Sequence, residues 1–464
     1  MVSSYEPGSF RDPDSAVFTV GNTVLRGLSG PAAAHFDRLS NTSFFPRLMS
    51  SGRIVRTSQH DDEAPPSPRG APWARVLEHE RVPVVSYPYE WPFAMLREAA
   101  VLQLEVLRAA LDEGMSLKDG TAYNVQFFGS RPTFIDVGSF EPASGPWLGY
   151  RQFCQTMLFP LMIQAHLGVP FQPSLRGAID GLRPTDVASM FSGLRHFRKG
   201  VLRNVTLHSI LERRVNTASE KVKTELRASG FTTEMAKATT KNLAKLVAGL
   251  EVRRRRSTWS DYRETCSYGD ADAQAKREFV LSAVVAGESG LVLDLGANDG
   301  AYSRLAAELA DYVVAVDSDE MVIDGLYRRL RAEGNEKILP LVMNLVDPSG
   351  GTGWCNRERA PFSERVRPDV VLALALVHHL TIAANVPLPE VVAWLRSFGG
   401  RLVVEFVHAD DVQVRRLLGN RPPGLFDDYQ QGAFERLLAE QFLVHEQQRL
   451  PNGTRTLYLA EPKP

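Results

Sequence analysis

Cysteine is scarce in this 464-residue chain: Cys154, Cys266 and Cys355 are the whole set. An odd, scattered trio without C-x-x-C spacing excludes a disulfide framework and a cysteine zinc site, and points to reduced thiols in a cytoplasmic protein. Neither sign of charge is in excess. With 53 lysines and arginines against 54 acids, no overall field recruits nucleic acid or an anionic membrane. Long apolar runs are missing too. The longest, near Met157–Met162, contains Pro160 and is too short to span a bilayer. Met1–Ala16 is polar and acidic and does not read as a secretory signal. No repeat of solenoid period is present. What the chain does have is 44% hydrophobic residues, enough for full cores, and the length for two or three domains.

One stretch organises the rest: Val292-Leu-Asp-Leu-Gly-Ala-Asn-Asp-Gly-Ala-Tyr-Ser303. An apolar run, Leu291–Leu295, ends in a glycine-rich turn and an amphipathic helix pattern follows at Tyr302–Leu309. This predicts a buried parallel strand turning into a helix, with backbone N–H groups open to a ligand. A second apolar run, Tyr312–Val316, ends in Asp317. Strand, turn, helix, strand and terminal acid form a ribose-binding βαβ unit.

The turn discriminates between nucleotides. A dinucleotide fingerprint places glycines where pyrophosphate presses on the backbone, whereas these positions hold Gly296, Asn298 and Ala301. Asp294 and Asp299 would also repel a dianionic pyrophosphate. The run Asp294-Leu-Gly296-Ala297-Asn298-Asp-Gly300 resembles the first motif of class I methyltransferases that use S-adenosylmethionine, and Asp317 resembles their ribose-binding acid. That cofactor carries a sulfonium and an ammonium rather than phosphates, which suits acids at the turn. Asn298 stands where glycine is commoner, a departure softened by asparagine's tolerance of left-handed backbone.

After Asp317 the alternation continues: helix Met321–Ala332, strand Ile338–Leu345, strand Val370–Leu376, helix Leu388–Ser397, strand Arg401–Phe406, helix Gly432–Glu440, then a hairpin, Phe442–Arg449 and Arg455–Leu459. The expected fold is α/β: a Rossmann-like, doubly wound, seven-stranded sheet over 288–464. Ligands in such sheets lie beyond the carboxyl ends of the strands. That rule selects Asp294–Gly300, Asp317 with Ser318, Met343 and Asn344 beside the adenine, Ala375, and then His378, His379 and Glu405. Methyl transfer is an in-line displacement helped by positioning and by removal of the acceptor's proton. Histidine titrates near neutrality and suits that role. Adjacent residues on extended backbone cannot both face one cleft, so one of the pair is expected to act. Glu405 would orient a histidine or bind the acceptor. Nothing in the spacing of these residues and His408 fixes a metal geometry, and no metal is expected. By the methyltransferase resemblance, Tyr268 and Lys276 in the preceding flank would cover cofactor or substrate.

The N-terminal part reads as an α+β domain over 1–183. Strands are predicted at Val17–Val20 and Thr23–Leu28 around Gly21-Asn22, and at Val82–Ser86; a long helix spans Pro92–Glu113 and stops at Gly114. Asp119, Asn124 and Asp136-Val-Gly138 then follow at a spacing that resembles the catalytic loop and D-x-G of protein-kinase-like folds. That resemblance lacks a glycine-rich nucleotide loop, a V-A-I-K lysine and the His-Arg before the first Asp. A helical connector is expected at 184–287. Its four arginines, Arg253–Arg256, read as a solvated helix end rather than an RNA site.

Tyr87-Pro-Tyr-Glu-Trp91 and Leu117-Lys-Asp119 ahead of such a domain resemble bacterial class I methyltransferases with long N-terminal extensions, nodulation-type proteins among them. The resemblance implies methylation of an O, N or C atom on a small-molecule or glycan-like acceptor, in the cytoplasm, with no DNA, RNA or membrane partner. Absence of Asn/Asp-Pro-Pro-Tyr after the fourth strand argues against adenine or glutamine amino groups. Two alternatives remain: a bifunctional or pseudoenzyme chain whose N-terminal part binds nucleotide, and a cofactor-binding regulator without turnover.

Overall fold

A computed structural model describes residues 3–62, 64–68, 70, 72–210, 232–252, 269–285 and 290–464. The chain divides into two units, Met1–Arg254 with Gly351–Arg359, and Arg255–Gly350 with Ala360–Pro464. Among the described residues no helix is long and apolar enough to cross a membrane.

In the first unit, β1 (Ser3–Tyr5), β2 (Ser15–Val20), β3 (Thr23–Leu28), β4 (Thr57–Gln59) and β5 (Arg75–His79) form an antiparallel sheet in the order β1-β2-β3-β5-β4. Gly21 and Asn22 make the two-residue turn between β2 and β3, with Gly21 at φ +59°, a conformation glycine adopts without a Cβ penalty. The strand expected at Val82–Ser86 does not form. Pro83 has no N–H to offer, and the Gln126 side-chain amide takes both the N–H and the C=O of Ser86 at 2.9 Å. The strand lies earlier, at β5, where alternating charge hid it.

Helix α1 (Phe93–Asp112) buries a face of alanines and leucines at helical spacing and ends at Gly114, φ +73°. Four short strands follow: β6 (Met115–Leu117), β7 (Val125–Phe128), β8 (Arg131–Phe134) and β9 (Phe140–Pro142). β7 and β8 form a hairpin and β6 pairs with β9. Residues 118–124 therefore lie between β6 and β7, and Asp136–Gly138 between β8 and β9.

The stretch expected as a connector is divided between the units. Helix α2 (Thr233–Ala248) packs on α1 in the first. Helix α3 (Asp270–Val285) contributes Phe279, Val280, Ala283 and Val284 to the core of the second. Tyr268 and Arg253–Arg256 lie outside the described residues. Residues 351–359 belong to the first unit although they fall late in the sequence. Buried Glu358 explains this locally: it accepts two hydrogen bonds from Arg11 (2.7 and 2.9 Å) and one from the Trp354 N–H (3.1 Å).

The second unit is a seven-stranded sheet with β10 (Leu291–Leu295), β11 (Tyr312–Asp317), β12 (Ile338–Val342), β13 (Val370–Ala373), β14 (Arg401–Val407), β15 (Phe442–Arg449) and β16 (Arg455–Pro462) in the order β12-β11-β10-β13-β14-β16-β15. β10 to β14 run parallel, and β16 lies antiparallel between β14 and β15. Their residues read as continuous Val, Leu and Ile because helices cover both faces. Helices α4 (Ala301–Ala307), α5 (Glu320–Ala332) and α6 (Leu388–Ser397) are crossovers. This is the Rossmann-like, seven-stranded sheet that the sequence leads one to expect. Its strand order reverses between β10 and β13, and the crevice at such a switch point is where ligands bind.

Candidate functional site

The turn after β10 uses three left-handed residues, Gly296 (φ +79°), Asn298 (φ +49°) and Gly300 (φ +83°). Gly300 also meets Leu326: a Cβ there would stand 2.6 Å from its Cδ1. The turn does not present the open donors that a phosphate cradle requires. The N–H groups of Gly296 and Ala297 both donate to the Val316 carbonyl (2.8 and 3.0 Å), that of Gly300 to Ala297 (2.9 Å), and that of Asn298 to Asp317 Oδ2 (2.9 Å). The turn is thus strapped to the end of β11, a second reason besides its acids to exclude pyrophosphate.

Asp317 accepts the Asp319 N–H on Oδ1 (2.9 Å), and burial raises its pKa against the pull of those backbone donors. A carboxylate has about four lone-pair sites, so acceptor capacity remains for a ligand hydroxyl. Ser318 is exposed beside it, and Asp319 caps α5 through the N–H groups of Met321 and Val322. Asp294 faces inward instead, 2% exposed, and takes the Ser303 hydroxyl at 2.6 Å, tying α4 to β10. Burial pushes its pKa up to about 6, with the Ser303 hydrogen bond and then Lys276 acting in the opposite direction. At the end of β12, Met343 is buried, while Asn344 is exposed and folds its Oδ1 back to the Val346 N–H at 3.1 Å. Ala375, after β13, holds φ +51°. An alanine in this region costs on the order of 1 kcal/mol, and such outliers concentrate at functional sites.

The histidine pair differs from expectation. The backbone at His378 is helical, φ −65° and ψ −30°, so the two rings lie side by side with centroids 4.1 Å apart. The chain continues as a wide helical turn in which Ala384 donates to the His379 carbonyl at 3.0 Å, an i→i+5 pattern frequent at functional sites. His378 is 1% exposed and its Nδ1 has no hydrogen-bond partner among the described residues. Burial lowers both pKa values, helped at His378 by His379, Arg455 and Lys276, and at His379 by Arg455.

Glu405 is fully buried and already engaged. Its Oε2 accepts Lys276 Nζ at 2.6 Å and its Oε1 accepts Arg455 at 3.2 Å. Arg455 Nε reaches Asp411 Oδ2 at 3.0 Å, and Asp411 also takes the Thr454 hydroxyl and the Gln413 N–H. Lys276, on α3, is itself only 3% exposed and sits 4.8 Å from the Tyr302 ring centroid. The structure therefore joins Lys276, Glu405, Arg455 and Asp411 into one buried charge chain. Arg455 and Asp411 escaped sequence reading; the one signal was an arginine opening the apolar strand Arg455-Thr-Leu-Tyr-Leu-Ala460. His408 stands apart, bonded to the Thr456 hydroxyl at 2.9 Å. Among the described residues no three of His, Cys, Asp or Glu gather in a metal-holding group.

No family model matches the chain. The nodulation protein NoeA of Rhizobium meliloti (strain 1021) is 34% identical over 461 residues, covering 98% of this chain and 95% of that protein. The chain belongs to the NoeA family. The likeness runs through both units, and the relative's name states neither a reaction nor a substrate. Solved structures similar to part of the chain include the N-methyltransferase NodS from Bradyrhizobium japonicum WM9, at 13% identity over 42% of this chain and 98% of that one, TM-score 0.31. Magnesium protoporphyrin IX methyltransferase from Synechocystis PCC 6803 is 15% identical over 46% of this chain and 90% of its own, TM-score 0.31.

Proposed function

We propose that the second unit transfers a methyl group from S-adenosylmethionine to a nucleophilic O, N or C atom of a small-molecule or glycan-like acceptor. The observation that carries this reading is the strapped turn: the N–H groups of Gly296, Ala297 and Asn298 are spent on the end of β11, yet Asp317 keeps acceptor capacity at the switch point, with buried Asp294 behind the turn as a second carboxyl. A ligand with ribose hydroxyls and a cationic tail suits those groups better than one with phosphates. Asp317 and Ser318 would hold the ribose, Met343 and Asn344 the adenine, and Gly296, Ala297, Asn298, Gly300 and Ala375 the backbone walls. Bound there, S-adenosylmethionine would supply a methyl group made electrophilic by its sulfonium.

His378 and His379 are the candidate bases. Both are held neutral by burial, so either ring has a lone pair for the acceptor's proton, and the unpartnered Nδ1 of His378 favours that residue. Glu405 and Lys276 serve here as a positioning pair, anchoring α3 to the sheet rather than touching the acceptor.

Calorimetry with the full chain tests the cofactor: S-adenosylmethionine should bind, and Asp317→Ala should weaken it about 10- to 100-fold, the worth of a charge-assisted hydrogen bond. No binding to wild type, or unchanged binding in the variant, removes the reading. Incubating host extract with methyl-labelled S-adenosylmethionine and following the label by mass spectrometry identifies the acceptor. Binding without any labelled product would favour the regulator instead.

A further inference from the structure

Charge is balanced over the whole chain but not along it. From Val187 to Leu211 the sequence holds no acid, and Arg195, Arg198, Lys199 and Arg203 fall together there. All four are exposed. Arg198 spends one N–H on the His166 carbonyl at 2.6 Å, and among the described residues none of the four pairs with a carboxylate. Of the acids nearby, Asp186 is taken up by Arg183 at 2.8 Å. Lys199 Nζ lies close to Gly249, two residues from exposed Glu251, with exposed Lys245 in the turn before.

Between these cations the chain leaves large apolar side chains in water. Leu194 is 86% exposed and Phe197 74%. They lie three apart in the short, tightly wound helix Gly193–Phe197, where side chains at that spacing eclipse, so both stand on one side. Leu202, Leu207 and Ile210 are exposed as well. Leu207 donates its N–H to the Leu202 carbonyl across a wide helical turn, which stacks those two side chains. His196 Nδ1 meets the Thr206 hydroxyl at 3.1 Å and ties the two helical turns together. Loose packing does not explain the exposure. Val201 and Val205 are fully buried, and Gly200, φ +82°, lies so close to α2 that a Cβ there would stand 2.7 Å from Leu246. A seated backbone holds leucines and a phenylalanine outward among cations, which marks an interaction surface rather than a core.

We propose that this surface docks the first unit on an anionic phospholipid bilayer, with Leu194 and Phe197 entering the interface and Arg195, Arg198, Lys199 and Arg203 meeting the headgroups. The pairing of chemistries selects the partner. A nucleic acid would use the cations and leave Leu194 in water. A second copy on a two-fold axis would set the same cations against each other. A lipid surface offers negative headgroups at the level where apolar side chains leave water, and the chain rests on it rather than crossing it. The expectation of no membrane partner rests on net charge, a sum over the chain that conceals a local excess.

The proposal does not depend on methyl transfer and is tested separately. The full chain is sedimented with vesicles of phosphatidylcholine alone and with vesicles of equal parts phosphatidylcholine and phosphatidylglycerol, at low and at high salt. It should bind the second kind and not the first, and less at high salt. Leu194→Ser combined with Phe197→Ser should weaken that binding at least about 10-fold. Arg195→Gln combined with Arg203→Gln should weaken it about 20- to 30-fold, each cation beside an anionic surface being worth about 5-fold. Because all four side chains are exposed, unfolding midpoints and S-adenosylmethionine affinity should match wild type in both variants. No binding to the phosphatidylglycerol vesicles, equal binding to both kinds, or binding that survives either double substitution overturns the proposal. Salt-sensitive retention of polyuridylate without vesicle binding assigns the surface to nucleic acid instead. A dimer in light scattering that Phe197→Ser dissolves, again without vesicle binding, assigns it to a second copy.

Discussion

Asp294 should make the second unit less stable as pH rises, and Asp294→Asn isolates that effect. Its carboxyl, 2% exposed, titrates at about 6 rather than 3.8. Because the folded-state pKa lies above the unfolded one, the stabilising contribution is fully present below pH 4 and is lost as pH passes through 6. The separation of about 2 units corresponds to roughly 3 kcal/mol at 1.36 kcal/mol per unit. The asparagine variant lacks this titration. It can still accept the Ser303 hydroxyl, and any penalty for an unpaired amide N–H, about 1–3 kcal/mol, is the same at every pH. The informative quantity is therefore the slope of the difference, not its offset. Urea unfolding of both proteins without ligand, from pH 4 to 8, should show wild type losing roughly 3 kcal/mol relative to the variant, most of it between pH 4 and 7. A difference that is flat with pH, or rises, refutes the account. With S-adenosylmethionine present the same group acts in the opposite direction. A cation beside Asp294 favours the ionised form, so wild-type affinity should climb through pH 6, with proton release on binding, while the variant's stays level.

Three further outcomes are expected. His378→Ala should lower kcat about 10²- to 10⁴-fold with S-adenosylmethionine affinity unchanged by calorimetry; since burial lowers both histidine pKa values, the acid limb of the wild-type rate should fall below the ordinary histidine range near 6.5. Lys276→Met should cost about 3–5 kcal/mol by leaving Glu405 short of a counter-charge, and pairing it with Glu405→Gln should cost less than the two single losses added, as denaturant midpoints would show. Gly300→Ala should destabilise the second unit by about 1–3 kcal/mol, combining a left-handed alanine with the Leu326 clash, and a change in melting temperature of under a degree would contradict the geometry.

The second unit was legible because its signals are local. A parallel strand buried on both faces is a nearly unbroken apolar run, and β10, β11 and β13 announce themselves in four to six residues. The turn residues carry their own backbone demands, so Gly296, Asn298 and Gly300 could be placed before any partner was known. In the first unit the same rules worked for α1 and for the β2–β3 turn, where periodicity and Gly21 suffice. They failed at Val82–Ser86, because an apolar run is a strand only if another strand takes its hydrogen bonds. Here a side-chain amide forty residues away takes them instead.

Charge partners were the least legible feature, for a related reason. Lys276 and Glu405 are 129 residues apart, Arg26 and Asp136 are 110 apart, and nothing near either member names the other. What the sequence does display is a demand: a lysine within the apolar face of α3, a glutamate inside the run Leu402-Val-Val-Glu-Phe-Val407, an arginine opening β16. A buried charge must be paired, so each such residue states that a partner exists without saying where. Glu405 was expected to orient a histidine or bind the acceptor, and its demand is met by Lys276 and Arg455. Asp317 passes the same test differently, since its partners are backbone N–H groups that leave oxygen lone pairs unspent. The distinction that matters at a strand end is therefore whether an acid's capacity is exhausted by the protein. On that criterion Asp317 can still serve a ligand, whereas Glu405 holds the fold.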